Sequence, residues 1–287
     1  MRRREDEMAE VEARAATTLL DGRYLLHECV GLGAMAKVYR AEDIRLKRTV
    51  AIKMVCTTAP FLDVPPEARN ETLLLASLNH PSLVTLLDAS LDAGRPGYLV
   101  MEFVDGPTLA DRLHDGPLSL PDAAHLAWDI ASALHAVHRA GIVHRDVKPS
   151  NILLARTDLP ARSYHAKLAD FGVASVVDAG AVESEGTSAG TAAYLAPEQV
   201  RSERVTEAAD IYSLGLVLLE AVTGERAFPE ASGIGAAVAR LLASPPIPDR
   251  LGPQWSGLLG PMTATDPGAR PNAMAVAQAA LALAPIL

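Results

Sequence analysis

Between residues 24 and 55 the apolar positions come in short clusters rich in β-branched and aromatic residues. Turn signals separate them: Asp21-Gly22, then Gly31-Leu32-Gly33, then Glu42-Asp43. Val38-Tyr39 and Val50-Ala51-Ile52 read as strands of an antiparallel region. A helical window over 66–78 interrupts this region, and further strands are predicted over 83–87 and 98–103. Residues 1–16 are charged and Ala-rich without an apolar stripe, and read as a solvated helix or a frayed tail.

After Asp105-Gly106-Pro107 the period becomes that of a helix. Ser119-Leu120-Pro121-Asp122 combines a cap, a first-turn proline and an acid, which marks a helix start. Leu126, Ile130, Leu134 and Val137 then share one face, and Gly141 is the stop. Two short apolar strands follow over 152–154 and 166–169, then a Gly- and Ser-rich segment over 178–191. The remainder is helical, broken at Pro245-Pro246, Pro248 and Asp266-Pro267. The pattern predicts an α+β chain in three parts. Residues 1–18 are a charged extension, 19–104 a small β-rich lobe and 105–287 a larger, mainly helical lobe. Phe103 to Asp105 mark the junction, where a ligand cleft is expected.

With 49% hydrophobic and 21% charged residues, the chain reads as globular rather than disordered. A net charge of −9 excludes a whole-domain basic field for nucleic acid and favours a basic peptide as partner. Cys29 and Cys56 form no disulfide framework and no metal spacing, so a cytoplasmic location is expected. Arg2-Arg3-Arg4 is followed by Glu5, Asp6, Glu7 and Glu10 where a signal peptide needs an apolar stretch. The apolar stretches 211–219 and 273–287 fall short of the ~18 residues that span a bilayer, so no membrane segment is expected within this chain. An anchor in a longer parent chain stays open.

The densest chemistry is His144-Arg145-Asp146-Val147-Lys148-Pro149-Ser150-Asn151, lodged between Ile142-Val143 and Ile152-Leu153-Leu154. Phosphoryl transfer needs a carboxylate to orient the attacking hydroxyl, a cation near the moving phosphate and oxygen ligands for a metal. Asp146, Lys148 and Asn151 supply these in order. Asp170, before Phe171-Gly172, ends the second short strand. Pairing of the two strands brings it beside Asn151 as a hard-cation site. Three upstream features are ambiguous when taken alone. Gly31-Leu32-Gly33-Ala34-Met35-Ala36 is either a phosphate cradle or a hairpin turn. Lys53 either points at phosphates or snorkels to solvent. Glu71 either holds that amine or lies on a solvated helix face.

Taken in order, these residues resemble the eukaryotic-type (Hanks-type) Ser/Thr protein kinases of the bacterial, actinobacterial-like branch. The likeness runs from about Tyr24 to about Leu283: Gly-rich loop, Val-Ala-Ile-Lys, helix Glu, His-Arg-Asp to Asn, Asp-Phe-Gly and Ala-Pro-Glu. The resemblance implies a bilobal kinase fold whose N-lobe carries one regulatory helix. It implies transfer of the ATP γ-phosphate to protein Ser or Thr, with Mg²⁺ or Mn²⁺. Lys53, Glu71, Asp146, Lys148, Asn151 and Asp170 would be catalytic, and Asn151 and Asp170 would hold the metal. Val30, Gly31, Gly33, Ala34, Ala36, Val38, Ala51, Lys53, Met101, Glu102, Val104 and Leu153 would line the nucleotide, with Met101 as gatekeeper and the 102 and 104 backbone meeting adenine. Ala36 departs from the family's third glycine and implies a stiffer loop.

The resemblance also implies structural roles. Thr191 would face Asp146 and Lys148, Glu198 would pair with Arg270, and Asp210 would hold the catalytic loop. Leu75, Leu86, His144 and Phe171 would stack as a spine. Arg145 before the catalytic Asp implies activation by autophosphorylation of the 173–196 loop, at Thr187, Ser188 or Ser184. A homodimer is also implied. Two rivals are a pseudokinase, which lacks equivalents of Lys53, Asp146 or Asp170, and a small-molecule phosphotransferase, which lacks Ala196-Pro197-Glu198 and the Thr191 segment. All of these residues are present. His125, His135 and His138 read as ordinary surface histidines of one helix, and Trp128 and Trp255 as packing residues.

Overall fold

The computed structural model describes residues 18–32, 36–55, 78–90, 97–158, 162–170, 193–228, 241 and 243–284. They fall into two compact units. The first holds the described residues up to Val55 together with 84–104, and the second holds 78–83 and the described residues from Asp105 on. The helix expected over 66–78 lies outside the described residues except for Leu78, which is not helical, and the extension before Thr18 and the 178–191 segment lie outside them too.

In the first unit β1 (Leu19–Leu20), β2 (Tyr24–Leu32), β3 (Ala36–Asp43), β4 (Arg48–Val55), β5 (Leu86–Ser90) and β6 (Tyr98–Glu102) build one antiparallel sheet in the order β1-β2-β3-β4-β6-β5. Its apolar face buries Tyr24, Leu26, Tyr39, Ala41, Val50, Ile52, Tyr98 and Val100. The β3–β4 turn is organised by Asp43. Its carboxylate accepts from the backbone N–H groups of Arg45 and Leu46, both at 3.2 Å, and from Arg23 Nη2 at 2.8 Å.

One strand boundary differs from expectation. The strand predicted over 83–87 runs instead from Leu86 to Ser90. The buried Leu83 makes a parallel bridge to Leu168, and the Leu168 N–H donates to the Ser82 carbonyl at 2.9 Å. Those residues are apolar because of that packing, which residue period cannot show.

The second unit contains α1 (Leu109–Leu113), α2 (Leu120–Arg139), the hairpin β7 (Ile152–Ala155) and β8 (His165–Leu168), α3 (Pro197–Val200), α4 (Glu207–Thr223), α5 (Gly252–Met262) and α6 (Ala273–Leu283). Ser119 caps α2, its Oγ accepting from the Asp122 N–H at 3.2 Å. Leu126, Ile130, Leu134 and Val137 are fully buried, and α2 packs against α4, α6 and β8. Gly141 closes the turn after α2 at φ 76°, where a side chain would be strained. Helix α4 is buried on nearly every side from Ala209 to Val222. At Gly215 an added Cβ would stand 2.8 Å from Thr263 Cγ2, so close helix packing requires the glycine. Among the described residues no helix is long and apolar enough to cross a membrane.

Candidate active site

The loop from Gly141 to Asn151 links α2 to β7, and its backbone is held by a buried carboxylate in the first turn of α4. Asp210 Oδ2 accepts from the His144 N–H at 2.8 Å, and Oδ1 accepts from the Arg145 N–H at 2.8 Å. Asp210 Oδ2 also meets His138 Nε2 at 2.8 Å. Arg145 adopts φ 66°, a region that costs a residue with a Cβ about 1 kcal/mol or more. The two bonds from Asp210 help to hold it there.

His144 extends the scaffold. Its Nδ1 accepts from the Asp146 N–H at 3.3 Å, so its proton lies on Nε2, which donates to the Ala169 carbonyl at 3.1 Å. Burial pushes its pKa down and favours this neutral ring, although nearby Asp210 and Asp146 oppose that shift.

Asp146 Oδ2 accepts twice, from Lys148 Nζ at 2.8 Å and from Asn151 Nδ2 at 2.9 Å. Asn151 Nδ2 donates again to the Asp146 carbonyl at 2.9 Å. Both amide hydrogens of Asn151 are thus directed at Asp146, and its side-chain oxygen is the acceptor that remains. The pairing of β7 with β8 places Ile152 opposite Leu168, and the Ala169 N–H donates to the Asn151 carbonyl at 2.8 Å. Asp170 is the next residue, at φ 56°, a left-handed conformation that Asp tolerates better than most. An amide oxygen and a carboxylate are hard ligands that suit Mg²⁺, which takes few protein oxygens and completes its shell with water and phosphate. The donor chemistry therefore fits a divalent cation.

In the first unit the register sorts the other candidates. Gly31 stands opposite Val38, Val38 opposite Lys53, and Lys53 opposite Leu99. Ala36 pairs with Val55, and Ala51 pairs with Arg40 on β3 and Met101 on β6. Directly opposed residues share a face and alternate residues repeat it. Ala36, Val38, Ala51, Lys53 and Met101 thus share the face opposite the apolar core, with Gly31 in the same cross-strand row. Glu102 belongs to the core face: its carboxylate accepts from the Thr85 N–H at 2.9 Å, and its own N–H donates to the Thr85 carbonyl at 3.0 Å. Val30 is half exposed beside a register shift in β2, and Val104 follows the end of β6. In the second unit Leu153 points away from the buried pair Ile152 and Leu154, and bridges to Thr108. Gly33, Ala34, Glu71, Leu75, Phe171, Ser184, Thr187, Ser188 and Thr191 lie outside the described residues.

Glu198 and Arg270 form a buried two-pronged pair. One polar side chain departs from expectation. His138, read as a surface histidine, is 8% exposed against Asp210. It lies four residues after Leu134, so the apolar stripe itself pointed to it. Asp129 is buried too, accepting from Arg162 Nη2 at 2.7 Å and the Ala166 N–H at 2.9 Å.

The protein kinase domain family matches residues 24–281. The serine/threonine-protein kinase PknB of Mycobacterium leprae is 42% identical over 219 residues, covering 73% of this chain and 34% of PknB. The serine/threonine-protein kinase PknL of Mycobacterium tuberculosis is 38% identical over 260 residues, covering 88% of this chain and 63% of PknL. The chain thus spans between about a third and under two thirds of these relatives. The crystal structure of Rad53 1-466 in complex with AMP-PNP aligns with a TM-score of 0.71 at 27% identity, over 87% of this chain and 62% of that one.

Proposed function

The chain belongs to the protein kinase family, and from that premise we propose that it is a serine/threonine protein kinase, moving the γ-phosphate of ATP onto a protein Ser or Thr hydroxyl. The observation that carries this reading is the state of Asp146. One carboxylate oxygen is occupied by Lys148 and Asn151. The other is left to accept from an incoming hydroxyl, so the carboxylate is orientated before substrate arrives. Lys148 brings positive charge to the same place, where phosphate charge must be offset. The Ser/Thr kinase relatives PknB and PknL support a Ser or Thr acceptor.

Protein kinases use ATP and a divalent metal, and the AMP-PNP complex of Rad53 supports a nucleotide ligand here. Lys53 and the residues sharing its sheet face are the proposed nucleotide contacts of the first unit, together with Glu71 from the sequence. Asn151 and Asp170 would hold Mg²⁺ (or Mn²⁺), which supplies positive charge against the phosphates. Arg145 is exposed, and the reading extends to activation by autophosphorylation at Thr187, Ser188 or Ser184. It extends also to a homodimer and to a cytoplasmic site of action, which the free thiol of Cys29 supports.

The test is incubation with labelled ATP, Mg²⁺ and a generic basic protein, followed by phosphoamino-acid analysis. Phosphoserine and phosphothreonine that vanish on chelation are expected. Phosphotyrosine alone would overturn the acceptor class. Mass spectrometry of fully active enzyme with an unmodified 173–196 segment would remove autophosphorylation from the account.

A further inference from the structure

Gln199 lies in α3, three residues after Ala196, the N-cap residue of that helix. Ala196 has no side-chain acceptor, and Gln199 reaches back instead: its Oε1 accepts from the Ala196 N–H at 2.8 Å. A primary amide is planar, so seating Oε1 there aims Nε2 in a fixed direction. Nε2 donates to the Arg145 carbonyl at 3.2 Å. Only the amide orientation with oxygen toward Ala196 and nitrogen toward Arg145 satisfies both contacts. The strut stands on firm ground, because Ser213 Oγ on α4 donates to the Tyr194 carbonyl at 2.7 Å.

The Arg145 carbonyl belongs to the peptide unit that carries the Asp146 N–H. That N–H is taken by His144 Nδ1. The plane directly before Asp146 is therefore held at one edge by Gln199 and at the other by His144, while Asp210 holds the Arg145 N–H. With Arg145 at φ 66°, the peptide sits in a sparsely populated conformation that needs outside support. We propose that Gln199 is a positioning residue for Asp146, setting the carboxylate through the Arg145–Asp146 peptide. As a matter of catalysis the proposal rests on the kinase reading above. The role requires an acceptor and a donor on one side chain, which glutamine provides and glutamate provides only when protonated.

The test compares wild type with Gln199→Leu and Gln199→Glu, by steady-state phosphorylation of a basic protein and by amide hydrogen exchange across 145–148. Gln199→Leu is expected to lower kcat about tenfold with the KM for ATP within about twofold, since the geometry of the base and not nucleotide binding is disturbed. Exchange across 145–148 should accelerate in the same variant. Gln199→Glu, whose carboxylate accepts but cannot donate between pH 6 and 8, is expected to match Gln199→Leu in kcat and in exchange. A loss confined to KM, or a Gln199→Glu protein with the kcat of wild type, overturns the proposal. So does unchanged exchange in a folded Gln199→Leu protein. A wild type that transfers no phosphate defeats the kinase reading instead, and the exchange comparison then decides whether Gln199 holds the peptide.

Discussion

Glu198 and Arg270 meet prong to prong, Nη1 to Oε1 at 2.7 Å and Nη2 to Oε2 at 2.9 Å, across 72 residues of chain. The other guanidinium donors go to the carbonyls of Ala208 at 2.9 Å, Ala264 at 2.8 Å and Thr265 at 3.2 Å. All five N–H groups of Arg270 are therefore satisfied, and its carbon lies 4.8 Å from the Tyr212 ring centre. Burying two charges is costly unless every donor finds an acceptor, and here each does. Removing one partner leaves the other charged and dry. Glu198→Ala is expected to destabilise the protein by about 3–5 kcal/mol in urea denaturation. Arg270→Lys should also be strongly destabilising, because an ammonium cannot reproduce the planar fork. A cost below about 1 kcal/mol for Glu198→Ala would show that water or another cation compensates.

Asp210 and His138 form the second buried contact with a checkable consequence. Asp210 carries two loop amides as well as the imidazole. Replacing His138 by Leu removes one donor from a fully buried carboxylate, which costs about 1–3 kcal/mol. The loop amides remain, so activity at a temperature well below unfolding should be nearly intact. Asp210→Ala releases both amides, and kcat is expected to fall by about 10²-fold as the loop loses its geometry. Steady-state kinetics of the two variants side by side separate the roles. Equal losses in both would contradict the division.

Acid should act in two stages. Burial pushes the pKa values of His80, His125 and His144 down. The folded form keeps these rings neutral while the unfolded chain takes protons near pH 6.5. The unfolded state therefore binds more protons as the pH drops, and stability falls below about pH 6.5 while staying flat above it. The second stage belongs to Asp43, held down to about 2, chiefly by its hydrogen bond from Arg23. Its contribution is present above about pH 4 and is lost as the pH approaches 2. Thermal melts of His80→Gln/His125→Gln should show a shallower first stage. Asp43→Asn should be less stable than wild type at pH 7, and the gap should close by about pH 2. A gap that widens in acid would contradict the assignment.

Much of this was legible in residue order, for physical reasons. The helix from Leu120 announces itself through the Ser119 cap and the stripe at 126, 130, 134 and 137, because a helix half facing solvent must alternate. The loop from Gly141 to Asn151 is legible as a candidate site because Asp146, Lys148 and Asn151 crowd one short turn between apolar segments. The burial of His138 is legible from its place four residues after Leu134, but its partner is not, because Asp210 lies 72 residues away. The start of the strand at Leu86 is not legible, because Leu83 is buried against Leu168 of β8 rather than within the sheet of β1 to β6. Gln199 left no trace in pattern at all: its role depends on a carbonyl 54 residues earlier.

The central claim is that Asp146 and Lys53 perform chemistry rather than support structure. The most direct measurement is transfer of labelled γ-phosphate to a basic protein by wild type, Asp146→Asn and Lys53→Met, with folding checked by thermal melts. The account predicts Ser and Thr phosphorylation by wild type and a loss of at least about 10²-fold in each variant at nearly unchanged stability. Equal incorporation by all three proteins would contradict it.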